Sequence, residues 1–123
     1  MINTTDLDEC EVSIPGQWVR KDSGDVYNFS TDKMELREER LFKELYIRHA
    51  SPPPGRTAGQ MRQLSYALSI EGGYCGIVLS EEGAEDEFII RSITKNEDGS
   101  ASMEWEDKIG ARIRFTRPSA THA

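Results

Sequence analysis

The sequence predicts a mainly β fold, an antiparallel meander of about eight short strands that closes into a small barrel. Three observations carry this. Apolar and polar residues alternate in four separate runs, at 63–70, 88–93, 101–106 and 111–116, which is the period of a half-buried strand. Turn chemistry falls between such runs, as in Glu71-Gly72-Gly73, Asn96-Glu97-Asp98-Gly99 and Asp107-Lys108-Ile109-Gly110. A length of 123 residues supplies one core, and an open sheet of that many strands would leave two edges unpaired, a liability that closure removes.

Residues 1–13 are polar and acidic with no apolar stripe, so they read as a flexible N-terminal arm. The barrel domain spans 14–118, and 119–123 reads as a flexible tail. Ile14 to Arg20 forms a first strand entered through Pro15-Gly16, since proline suits a strand's first residue. Val26 to Ser30 is rich in strand formers and lies between turn-like groups at 21–25 and 31–33. Two periods fit residues 34–48. Met34, Leu41, Phe42 and Leu45 share a helical face, with Asp32 and Glu35 placed as a capping box, which leaves room for one short helix. Met34/Leu36 and Leu45/Ile47 alternate instead, and two strands are the preferred reading. Ala50 to Gln60, containing Ser51-Pro52-Pro53-Pro54-Gly55, is a long exposed loop, because successive prolines remove donors and fix φ. Beyond it come strands at 63–70 and 74–80, an acidic turn at 81–87, a strand at 88–94, a hairpin to 101–106, and a last strand at 111–116.

Fifteen basic against 22 acidic residues give a net charge of −7. That balance repels nucleic-acid backbones and anionic membranes and suits a basic protein partner. The longest apolar runs are far short of a bilayer span, and the first basic residue is Arg20, so a cytoplasmic location is expected. Cys10 and Cys75 lack CxxC spacing or a neighbouring histidine cluster. Reduced structural thiols are therefore the preferred reading, with a Cys10–Cys75 disulfide as the alternative.

Gly16-Gln17-Trp18 at the first strand is followed after a short turn by Tyr27-Asn28-Phe29. The closing pattern is Phe88-Ile89-Ile90, Ile93-Thr94, Met103-Glu104-Trp105, Gly110 and Phe115-Thr116-Arg117. In these residues and in strand order the chain resembles, over 14–118, the small bacterial lipocalin-like domains of the calycin group. The resemblance implies a barrel closed at one end by Trp18 beneath a basic side chain of the last strand, Arg117 or Arg114. An arginine plane over an indole gains cation–π energy while shielding the barrel floor.

The aromatic set that includes Tyr66, Phe88, Trp105 and Phe115, together with Met103, is the candidate lining of an apolar pocket, or else simply fills the barrel. Arg56 and Arg62 flank or lie in the irregular loop and are its candidate rim. No catalytic residue is proposed. Glu104, Glu106 and Asp107 bracket Trp105, but alternation turns Glu104 and Glu106 outward together. Glu81, Glu82, Glu85, Asp86 and Glu87 lack calcium-loop spacing, Gly55 to Gly59 lacks a P-loop ending, and His49 and His122 have no sequence-adjacent nucleophile. No metal or cofactor is implied. The expected function is a non-enzymatic lipocalin-like domain holding a small apolar ligand. The alternative is an acidic protein–protein interaction module, of inhibitor or immunity type, that takes a basic partner.

Overall fold

A computed structural model describes residues 5–37, 39–50 and 61–118. The tail expected at 119–123 and the Pro-rich loop at 51–60 lie outside the described residues. A short helix α1 (Leu7–Ser13) precedes eight strands: β1 (Gly16–Arg20), β2 (Val26–Arg37), β3 (Arg40–Arg48), β4 (Met61–Glu71), β5 (Tyr74–Glu81), β6 (Ala84–Lys95), β7 (Ala101–Glu106) and β8 (Arg112–Arg117). Every strand pairs antiparallel with its sequence neighbour, and β8 returns to β1, so the sheet is a closed eight-stranded barrel. That architecture is consistent with the calycin-like fold implied by the resemblance.

Residues 34–48 are strand on both sides of one turn, with Leu36 opposite Leu41 and Phe29 opposite Leu45. The turn expected at 31–33 is absent. Val26 to Arg37 is one strand whose register slips between Phe29 and Met34. Asp32 and Ser30, turn formers in isolation, are absorbed into that irregularity, where Asp32 N donates to Ser30 Oγ at 3.1 Å. The acidic turn at 81–87 likewise shrinks to Glu82 and Gly83, at φ 51° and 88°, the mirror-image geometry of a two-residue hairpin. Ala84 to Glu87 already belong to β6.

Where the sequence predicts a flexible arm, residues 7–13 are helical. Asp6 caps α1 by accepting from Asp8 N at 2.9 Å, and Asp8 and Glu9 in its first turn complement the helix dipole. Leu7, Cys10 and Ile14 fall at helical spacing and pack into the core cluster. The cysteines correct the reduced-thiol expectation: Cys10 and Cys75 form a disulfide between α1 and the start of β5. Sequence separation concealed their proximity, because the two residues are 65 apart and meet only when the meander brings the start of β5 beneath the helix.

The barrel's two ends differ. At the helix end lie the starts of β1, β5 and β7, the ends of β4, β6 and β8, and α1. Most interior residues there are sealed, with Trp18, Tyr66, Cys75, Ile77 and Ile93 each 0% exposed, while Leu68 on the same face is partly buried and Ile70, at the end of β4, is exposed. At the loop end lie the β1–β2, β5–β6 and β7–β8 connections, the end of β3 and the start of β4. Interior residues there show slight exposure, with Tyr27 and Leu64 at 7% and Leu79 at 8%, and Phe88 and Ile113 are only partly buried. On the outer wall Phe42, Ala67 and Val78 make a second small cluster across β3, β4 and β5, with Arg37 over the Phe42 ring at 4.1 Å.

Removing the disulfide relaxes a 65-residue loop, so Cys75→Ala should lower stability by about 2–4 kcal/mol. Urea unfolding of wild type and variant measures the loss, and wild type without reductant should label no thiol among these two positions.

Candidate functional site

Trp18 organises the helix end. It stands on β1 two residues after Gly16, and its Nε1 donates to Ile14 O at 2.9 Å. Arg117 lies over its ring with Cζ 4.0 Å from the centroid. The same guanidinium donates to the carbonyls of Ser13 at 3.2 Å, Ile14 at 3.1 Å, Pro15 at 2.9 Å and Gln17 at 3.2 Å. A methyl group on Gly16 would sit 3.2 Å from Arg117 Nη2, and Gly16 has φ +113°, so glycine is required there by both space and backbone. Burial pulls the Arg117 pKa downward. Arg114, the other basic residue expected at this closure, is on the outer face and donates to Glu104 at 2.9 Å. Alternation decides it: Phe115 points inward, so Arg117 does too, and Arg114 cannot.

The candidate lining residues are central. Tyr66, Met103, Trp105 and Phe115 are buried and Phe88 is partly buried. Trp105 meets Phe115 at 4.6 Å, Phe88 at 5.3 Å, Phe29 at 6.1 Å and Tyr27 at 6.4 Å between ring centroids. Tyr66 is turned away from this group's polar needs, since its hydroxyl donates to Ser30 O at 3.0 Å in the irregular part of β2. Burial, aided by the Glu11 charge, pushes the Tyr66 pKa up to about 12. Trp105 Nε1 is different: it is buried and has no hydrogen-bond partner among the described residues.

Above these rings, at the loop end, stands a set of ionisable side chains. Arg20, Arg62, Glu81 and Asp86 are each two residues from a core residue on their own strand (Trp18, Leu64, Leu79 and Phe88), and His49, just past the end of β3, is two residues from Ile47, so alternation turns all five toward the barrel axis. Arg62 Nε donates to the Glu81 carboxylate at 2.8 and 3.0 Å, and Glu81 foremost, then the more distant Tyr27 and Asp86, raises its pKa. Arg20 chelates Asp22 at 2.7 and 3.0 Å and reaches the Tyr27 hydroxyl at 3.5 Å. Arg56, the second expected rim residue, lies outside the described residues.

Sequence reasoning missed the pairing of His49 with Asp25. His49 Nδ1 is 3.1 Å from Asp25 Oδ2, and Asp25 Oδ1 accepts from Ala50 N at 2.9 Å. A carboxylate only accepts, so Nδ1 carries the proton of this bond. Nε2 is buried and has no hydrogen-bond partner among the described residues. Burial works to raise the Asp25 pKa, but the bonds from Ala50 N and His49 outweigh it and hold it below the usual value. The available signal was positional: Asp25 precedes β2 and His49 follows β3 just beyond the Val26–Arg48 pair.

A concavity of about 120 Å³ opens beside Phe88 on the outer wall, lined by Ser69, Gly76, Ile77, Val78, Phe88 and Ile89 with Glu87, Glu106, Asp107 and Lys108 at its margin. Lys108 Nζ bridges it toward Glu87 at 3.5 Å. Glu104 and Glu106 face outward, where Arg112 bonds the first and lies 3.2 Å from the second. Among the described residues no group of three or more His, Cys, Asp or Glu is placed to hold a metal, and no helix is long and apolar enough to cross a membrane.

No family model matches the chain, and no curated protein or solved structure is significantly similar to it. The site therefore has to be read from its own chemistry.

A depressed carboxyl pKa means that Asp25 stabilises the fold fully above its unfolded value of about 3.9 and loses that contribution as pH falls through the lower folded value. The stability difference between wild type and Asp25→Asn should be constant above about pH 5 and shrink below about pH 4. Urea midpoints measured from pH 7 to pH 2.5 test it.

Proposed function

We propose that this barrel is a calycin-like binding domain of the lipocalin type, holding a small, mainly apolar molecule at its loop end. The observation that supports the reading is the asymmetry of the ends. One is plugged by Trp18, Arg117 and the disulfide-held helix. The other carries half-buried Phe88 and Ile113 beside buried Tyr27, Leu64 and Leu79, beneath a rim of Arg20, His49, Arg62, Glu81 and Asp86. An apolar floor with a few convergent polar groups is the usual make-up of a small-molecule site. Phe88 and Trp105 would touch the ligand, while Tyr66, Met103 and Phe115 form the packed bed beneath. The paired cysteines favour an oxidising compartment over the cytoplasm as the place of action.

The outer concavity favours a second reading, an acidic interaction module. Its apolar floor at Gly76, Val78, Phe88 and Ile89 is edged by Glu87, Glu106 and Asp107, next to exposed Glu85, and a basic segment would complement it.

Titration with apolar aromatic and aliphatic probes should quench or shift tryptophan emission at sub-millimolar concentration, and Phe88→Ala should weaken binding about three- to tenfold through lost apolar contact. If no probe binds below about millimolar while Glu85→Lys with Glu87→Lys abolishes capture of a basic peptide, the second reading replaces the first.

A further inference from the structure

We infer that the ligand of the loop-end site is a neutral molecule bearing one hydrogen-bond acceptor, such as a ketone, ether or uncharged aromatic nitrogen, and that Trp105 Nε1 donates to it. The inference rests on the ligand-binding reading above and adds the ligand's chemistry.

The protein treats its buried side-chain donors unequally. Trp18 Nε1 has the Ile14 carbonyl at 2.9 Å and the Tyr66 hydroxyl has the Ser30 carbonyl at 3.0 Å. Trp105 is 1% exposed, yet its Nε1 has no partner among the described residues. Buried donors are paired in nearly all native structures because an unpaired one forfeits its bond to water without compensation. Trp105 is also the side chain in contact with the most rings, and it lies directly behind Phe88, the partly buried aromatic of the loop end.

A trapped water is a poor substitute. It would need two to four polar partners, and the indole is surrounded by the rings of Tyr27, Phe29, Phe88 and Phe115. The same surroundings set the ligand's charge. An ionised carboxylate or amine would have to shed its hydration among aromatic carbons, whereas a carbonyl or ether oxygen gives up little and gains the indole N–H. Charged ligand groups belong at the rim, where Arg62 and Glu81 already neutralise each other at 2.8 and 3.0 Å.

Access is built into the strand pattern. The β6–β7 pairing ends at Ile89 opposite Glu106, so Phe88 has a paired neighbour on the β5 side, Ile77, and none on the other. Its half-buried ring lies 5.3 Å from the Trp105 ring with no strand neighbour on the β7 side, so a change of its rotamer would bring the floor of the site to Trp105.

The test uses acetophenone and α-methylstyrene, planar isosteres that differ in a carbonyl oxygen for a methylene. In wild type, the Trp105 indole proton, followed by ¹H–¹⁵N correlation spectra, should move downfield with acetophenone and not with α-methylstyrene. Trp105→Phe should lower the ratio of acetophenone to α-methylstyrene affinity about three- to tenfold, the worth of one hydrogen bond. Binding of both probes with an unmoved indole proton and an unchanged ratio overturns the inference and leaves the ligand-binding reading standing. Failure of both probes to bind wild type up to their solubility overturns the two together. The wild-type spectra decide the matter even if Trp105→Phe does not fold.

Discussion

The barrel closes on a short seam. β1 has only five residues, and it meets β8 through two residue pairs, Val19 with Thr116 and Arg20 with Phe115. Beyond Val19 the ladder stops, and the carbonyls of Ser13, Ile14, Pro15 and Gln17 would be left without donors from β8. The Arg117 guanidinium supplies them. One side chain thus continues the work of a strand, while its planar face covers Trp18 and completes the floor of the core. Arginine alone among side chains has enough donors, in a rigid fork, to do this while remaining stacked on a ring. Gly16 is fixed by the same contact, since the guanidinium occupies the space a side chain would need.

From that closure the two halves of the interior follow. Below, α1 is stapled to β5 by the disulfide and packs beside β4, and most large interior residues are shut away from water. Above, the strands end at different heights: β6 begins at Ala84, whereas β7 ends at Glu106 opposite Ile89. The wall is therefore incomplete beside Phe88, and the interior grades from dry aromatic packing around Trp105 to paired charges at the rim. Two buried side-chain nitrogens without a hydrogen-bond partner among the described residues, Trp105 Nε1 and His49 Nε2, are in this upper half or at its edge.

Much of this architecture was legible in the sequence. The alternating runs at 63–70, 101–106 and 111–116 became β4, β7 and β8, and the tight glycine turns fell at 72–73, 99 and 110. Period two is a strong signal wherever one face meets a core and the other meets water. It weakened where the chain departs from that condition. β5 is buried on both faces, and β2 carries polar Ser30, Thr31 and Asp32 through an irregularity that looks like a turn when read locally. The helix escaped notice because its stripe is only Leu7, Cys10 and Ile14, and a cysteine adds to a stripe visibly only once its partner is known. The site was harder still. Trp105 and Phe88 stand out by residue type, but the Asp25–His49 and Arg62–Glu81 pairs join residues 24 and 19 apart, and such meetings depend on strand register, which side-chain periodicity does not encode.

The disulfide also determines how the molecule carries mechanical tension. Pulling on the N-terminal segment loads Cys10, and the covalent link passes that force straight to Cys75 at the head of β5. Strands β1 to β4 and the connection at 51–60 lie inside the covalent loop and are bypassed. The load then runs through β5 to β8, where β8 is held to β7 by six residue pairs and to β1 by two pairs and Arg117. An oxidised chain therefore keeps the segment between Cys10 and Cys75 out of any extension, whereas a reduced one can pay it out.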